Sequence, residues 1–87
     1  MPYIKQLRRF QLDTMAIEDL ESEIKSPGEL NYVITRLIDD YHSRRRDYQS
    51  VNDIVGALEG AKLEFYRRVA APYEDQKAME NGDVYRG

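Results

Sequence analysis

Eighty-seven residues allow a single domain, and a chain this short buries only about 60–65% of its unfolded surface, so its own core is marginal. The 13 basic and 16 acidic residues give a net charge of −3, which argues against a duplex nucleic-acid partner, where a basic domain is expected. Cysteine is absent, excluding disulfides and thiolate chemistry. No apolar run approaches the ~20 residues of a membrane span, and no hydrophobic signal segment opens the chain. A cytoplasmic protein without a membrane partner is expected.

Taken in order, residues 1–12 read as an N-terminal arm. Met1 to Ile4 is extended by Pro2, and Lys5 to Phe10 is long enough for a turn or two. Asp13 is a good N-cap, and Ile17, Leu20 and Ile24 then share one face, predicting an amphipathic helix over Thr14 to Lys25. Ser26-Pro27-Gly28-Glu29 punctuates the chain: Ser26 can cap, Pro27 suits the first helical position and Glu29 can close a capping box. Leu30, Val33, Ile34, Leu37, Ile38 and Tyr41 then match a helical period, predicting a second helix that ends among Ser43 to Asp47. Ser50 is expected to cap a third helix, with Asp53 in the capping-box position. That helix carries Val51, Ile54, Leu58, Ala61, Phe65 and Val69 on one face and runs at least to Ala70, where Pro72 kinks or stops it. A short fourth helix over Tyr73 to Glu80 closes on Asn81-Gly82, leaving residues 83–87 as a tail. No strand-type alternation is present. The fold class is all-α: three main helices plus a short C-terminal one in a single domain, 1–87, completed by oligomerisation because the core is small.

Two groups of residues on the third helix stand out. Gly56, Ala57, Gly60 and Ala61 leave one side nearly bare, and each glycine costs ~1 kcal/mol relative to alanine inside a helix. Close helix packing, within the chain or between copies, offsets that cost; room for a ligand is the sharper alternative. Downstream, Lys62, Tyr66, Arg67, Arg68 and Tyr73 mix cations with rings. Such a mixture stacks on a base and holds its phosphates, or else Glu64 and Arg68 form an ordinary i, i+4 ion pair with the tyrosines at the core edge.

Other clusters carry less. Arg44, Arg45 and Arg46 point three ways from a helix end and suit its dipole. Asn31, Thr35, Asp39 and His42 form a polar row on the second helix, solvated by default. One histidine without cysteines makes a poor metal site. Asp39 and Asp40 with Glu59 or Glu64 are the acids available for magnesium, and Glu18 and Glu21 have the Glu-x-x-Glu spacing, but no second paired motif accompanies it. No nucleophile–base arrangement is visible, so no catalytic residue and no cofactor is expected.

The segments GELNYVITRLIDDY (Gly28 to Tyr41), GALEGAKLEFYRRVAAPYEDQK (Gly56 to Lys77), ENGDVY (Glu80 to Tyr85) and the opening MPYIK resemble a family of small uncharacterised proteins of bacteria, archaea and phages. The resemblance implies a fold and a phage-like setting rather than a reaction. By analogy, several unrelated phage proteins of this size are oligomeric sponges for immune nucleotide signals.

The expected function is therefore non-enzymatic: a homo-oligomer that sequesters a small anionic, nucleotide-like ligand. Lys62 and Arg67, with Arg68 beside them, would hold phosphate and Tyr66 and Tyr73 would stack. Asn31 or Arg36 would complete the pocket, and Tyr85 would reach a neighbouring subunit. The alternatives are a module that binds a host or self protein through its Tyr- and Arg-rich surface, and a metal-dependent nucleotide hydrolase using Glu59 or Glu64.

Overall fold

The computed structural model of the chain describes residues 2–86, with the side chains of all but Ala16 and Glu18. Met1 and Gly87, the ends of the expected arm and tail, lie outside the described residues, as does the Glu18 side chain of the Glu18–Glu21 pair. The fold is all-α, with no strand among the described residues. It consists of three helical rods, two of which are built from pieces joined by π turns.

The first rod covers 6–23. Helix α1 (Gln6–Leu12) passes through a π turn (Asp13–Ile17) into α2 (Glu18–Glu23). Asp13 is therefore not the N-cap the sequence suggests; its φ of −61° and ψ of −36° place it inside the helix. Part of the expected arm is helical for the same reason. Thr14 Oγ1 donates to the Gln11 carbonyl at 3.0 Å, a bond that competes with the main-chain ladder where the turn widens. The arm before α1 is tied down as well: Arg9 Nε donates to the Ile4 carbonyl at 2.6 Å, and Arg9 lies 5.9 Å from the Tyr3 ring centroid.

The second rod is α3 (Pro27–Arg45). Ser26 Oγ accepts from the Glu29 N–H at 3.1 Å, as its capping role requires. The reciprocal bond runs from the Lys25 N–H to Glu29 Oε1 at 3.1 Å, one residue earlier than in the standard capping box. The helix stops where Arg46 turns left-handed, φ 52° and ψ 37°, and its N–H closes on the His42 carbonyl at 2.7 Å.

The third rod covers 48–81: α4 (Tyr48–Phe65), a π turn (Tyr66–Ala70) and α5 (Ala71–Asn81). Its cap is Asp47 rather than Ser50, and Asp47 Oδ1 accepts the Ser50 N–H at 2.8 Å. Pro72 does not stop the rod. A proline removes one ladder bond and crowds the carbonyl four residues back, and the widened turn just before it takes up that misfit. The expected separate helix from Tyr73 is thus the continuation of the third one. It ends at Gly82, whose φ of 88° favours glycine and whose N–H bonds the Ala78 carbonyl at 2.8 Å.

Among the described residues, α3 against α4 is the one pair from different rods whose backbones pack. The radius of gyration is 17.1 Å, against about 12 Å for a compact chain of this length. The accessible surface is 8088 Å², against about 5,300 Å² for a folded monomer of this mass. No apolar side chain among the described residues is fully buried. Three helical rods form a small bundle whose inner faces remain open.

Candidate functional site

The α3–α4 corner is the most closely built part of the molecule. Ser50, with 0% of its surface exposed, is the only fully buried residue among those described. Its hydroxyl donates to the Asp47 carbonyl at 2.8 Å and lies 2.6 Å from His42 Nδ1. A serine beside a histidine suggests a nucleophile, but this hydroxyl also bonds the Asp47 carbonyl and its oxygen is closed to solvent. Next to it, Asp53 accepts from Tyr41 at 3.1 Å and from Gln49 at 2.8 Å, while the Arg45 guanidinium sits 3.8 Å from the Tyr41 ring centroid. The bond to Asp53 favours the neutral phenol and raises the Tyr41 pKa. The corner is a satisfied lock.

The faces of the same hairpin are apolar and open. One groove, of about 280 Å³, is lined by Leu37, Ile38, Tyr41, Ile54, Ala57 and Leu58, and its one charged neighbour, Asp53, is already bonded. Leu37 is 64% exposed there and Leu58 42%. On the opposite side, Val51 and Val55 line a second groove with Thr35, Asp39 and His42. The polar row expected on the second helix thus borders a groove, except for Asn31, whose Oδ1 accepts from Thr35 at 3.2 Å.

The expected ligand residues are split. Lys62, Tyr66, Arg67, Arg68 and Tyr73 lie along the third rod, the middle three on its π turn. The polar groups of Lys62, Tyr66 and Arg67 already have partners on the chain. Lys62 pairs with Glu59 at 3.9 Å, Arg67 with Glu64 at 2.7 Å, and the Tyr66 hydroxyl donates to Glu74 at 3.0 Å. Lys77 stands 5.6 Å from the Tyr73 ring centroid. Glu64 also accepts from the Tyr3 hydroxyl, which joins the N-terminal arm to α4. Its two donors, Tyr3 first and then Arg67, hold the Glu64 carboxyl below the ordinary range, and Glu64 raises the Arg67 pKa in turn. The bond to Glu74 raises the Tyr66 pKa. The i, i+4 ion pair between Glu64 and Arg68 does not form; Glu64 pairs with Arg67, three residues on, instead. Tyr85 lines a cavity of about 510 Å³ with Glu74, Asp75, Lys77 and Asp83, an acid-rich wall. Asn31 and Arg36 sit on α3, and no hydrogen bond or ion pair joins them to this group among the described residues.

The small residues divide similarly. Ala57 lines the first groove, and Gly60 is half-buried. Ala61 is exposed, and a Cβ built on Gly56 would meet nothing within 4 Å. Packing within the chain does not account for a glycine at position 56.

Residues 1–84 match the family described as a domain of unknown function (DUF6899). The chain belongs to this family. No curated protein and no solved structure matches it. The match spans the arm, all three rods and the start of the tail, so the open grooves and the lock belong to the family's segment of the chain.

Among the described residues, no three acidic or histidine side chains gather where they could hold a metal ion, and Asp39, Asp40, Glu59 and Glu64 form no such group. No helix among those residues is long and apolar enough to cross a membrane. The residues that sequence reasoning missed are Tyr3, Tyr41, Asp47 and Ser50 in their bonded roles. The visible signal was Arg46-Asp47: a helix stop followed at once by a strong capping residue, which places positions 41–42 opposite 50–53.

Proposed function

We propose that this chain is a non-catalytic interaction module whose apolar helical faces are covered by a protein partner. The observation that carries this reading is that no apolar side chain among the described residues is fully buried, while Leu37, Val55 and Leu58 stand open on a rigid hairpin. Exposed apolar surface of this extent on both faces of the hairpin marks interaction sites, and the tight corner beneath it argues against a chain that is simply unfolded. Dye binding over a dilution series tests this. A hydrophobic probe such as ANS should light up wherever the partner is absent. A chain that stays dark at every dilution, with cooperative melting, covers its own faces and refutes the module.

A second reading, sequestration of a small anionic nucleotide-like ligand, is favoured by one observation. The π turn falls on Tyr66, Arg67 and Arg68, and such turns recur at functional sites. A ligand phosphate there would displace Glu64 from Arg67. Arg67→Ala should then cost about 1.5–3 kcal/mol of binding to a nucleotide probe, the range for a charge-assisted hydrogen bond. Titration calorimetry showing equal affinity for both proteins would sink this assignment.

A further inference from the structure

Residues 2–23, the arm and the first rod, are held to the rest of the chain at two places. One is the covalent link through Ile24, which is extended (φ −79°, ψ 111°), and Lys25. Beside that link, Leu20 and Ile24 line a cavity of about 330 Å³ with Tyr32 and Val33 of α3. The other is the bond from the Tyr3 hydroxyl to the Glu64 carboxylate on α4. Among the described residues it is the one hydrogen bond between 2–23 and 26–86, and no ion pair joins the two parts. The backbones of α1 and α2 pack against neither α3 nor the third rod.

We infer that the first rod is a hinged flap, pivoting at Ile24–Lys25 and latched to α4 by Tyr3 on Glu64. The inference concerns how the chain opens and needs neither reading of function given above.

Three observations support it. The first is the position of the pivot. On the rod side the Ile24 N–H still bonds the Leu20 carbonyl at 3.1 Å, and on the α3 side Glu29 accepts the Lys25 N–H at 3.1 Å. The dihedrals between these two fixed ends are free to turn, as those of a hinge at an element terminus do. The second is that the arm moves with the rod. Arg9 Nε on α1 donates to the Ile4 carbonyl at 2.6 Å and its guanidinium lies 5.9 Å from the Tyr3 ring centroid, so a latch on the arm holds the whole rod. The third is the balance of forces. Glu64 is a prepared acceptor, 24% exposed and held from its own helix by Arg67 at 2.7 Å. Burial adds little to the far end of the flap, since Leu7, Phe10 and Met15 are each more than half exposed. A rod closed mainly by one hydrogen bond sits in a shallow two-state equilibrium, which a modest change at Tyr3 or Glu64 shifts.

The chain has no cysteine, so spin labels can be placed at chosen sites on the full protein. Labels at Gln11→Cys on α1 and Met79→Cys on α5 report the flap by double electron–electron resonance. Labels at Arg36→Cys on α3 and Met79→Cys report the rest of the chain. The unlatched background should show one narrow distance between the first pair becoming a narrow and a broad population. In Tyr3→Phe, which keeps the ring for Arg9, the broad population should grow roughly fivefold, the change that loss of one hydrogen bond allows. Glu64→Ala should do the same, and the double variant should open no further than either single one, because both remove one bond. The 36–79 distance should stay narrow throughout. A 11–79 distance that both variants leave narrow would mean that the rod is held by something else. A wild type that is already broad would mean that there is no latch. Broadening of the 36–79 pair in step with the 11–79 pair would mean that the variants loosen the whole chain. Each of these results overturns the proposal.

Discussion

The corner between α3 and α4 and the faces of the same two helices lie within a few residues of each other and obey opposite rules. At the corner the side chains of Tyr41, His42, Asp47, Ser50 and Asp53 are all hydrogen-bonded, and Ser50 is sealed between Asp47 and His42. On the faces, Leu37, Val55 and Leu58 are exposed to about half or more of their area. Local interactions can be completed by a short chain alone, since capping and turn bonds need only neighbours in sequence. Burial cannot, because it needs area that 87 residues in three open rods do not supply. The hairpin is therefore pre-shaped by its corner and stabilised by whatever covers its faces.

The largest effects should come from the apolar seam. Ile54 is half-buried and lines the grooves on both sides of the hairpin with Ile38. Ile54→Ala should cost about 2–4 kcal/mol in chemical denaturation at fixed protein concentration, the range for a large aliphatic residue truncated in a core. A cost under about 1 kcal/mol, as for an exposed position, would show that the seam stays wet. At the corner the effects should be smaller. Ser50→Ala should cost about 1–2 kcal/mol, since it removes a sealed hydroxyl and leaves His42 Nδ1 without its partner. Asp47→Ala should cost about 1 kcal/mol through the lost cap. The contrast to look for is size: seam variants should cost more stability than corner variants.

Much of this fold was legible because its signals are local. The all-α class, the Ser26 cap, the end of α3 near Arg46 and the stop at Gly82 all follow from residues within four positions of each other. The π turns were not legible. They arise where a sequence that favours helix must accommodate one misfit, Thr14 in the first rod and Pro72 in the third, and the helix absorbs the misfit instead of ending. That is why the sequence alone makes Asp13 look like a cap and Tyr73 like a fresh start. The candidate site was legible in its parts and not in its pairings. Lys62, Arg67 and Tyr66 are where helical spacing puts them, but periodicity does not say that Glu59, Glu64 and Glu74 occupy their polar groups. Nor does it show Tyr3 reaching Glu64 across sixty-one positions.

A smaller, opposite change isolates the turn between the two helices. Arg46 holds a left-handed conformation, φ 52°, which costs a side-chain-bearing residue roughly 1 kcal/mol. Arg46→Gly should therefore raise stability by about 0.5–1 kcal/mol, a gain partly offset by the freer unfolded chain. Unchanged or lower stability would mean that the Arg46 side chain contributes more than its Nε bond to the Ser43 carbonyl at 3.2 Å suggests.

The finest comparison is by pH, because the corner and the arm are tied by groups shifted in opposite senses. The Tyr41 pKa is raised, chiefly by its bond to Asp53. A raised group stabilises the fold below its unfolded pKa and loses that contribution as pH rises through the folded value. The corner should thus weaken above the ordinary tyrosine range of about 10, and Tyr41→Phe should remove that alkaline dependence. Glu64 is lowered, first by Tyr3 and then by Arg67. Its contribution is present above the unfolded carboxylate pKa and is lost as pH falls through the folded value, so the arm should detach from α4 in acid. Tyr3→Phe removes the first of those causes and should shift the loss to higher pH. Both groups are half-buried and still reached by solvent, so the effects are small and best read by NMR titration of the two tyrosine rings. If the rings of Tyr3 and Tyr41 report the same midpoint, arm and corner are one cooperative unit; separate acid and alkaline midpoints show that the chain holds its arm and its corner by independent local bonds.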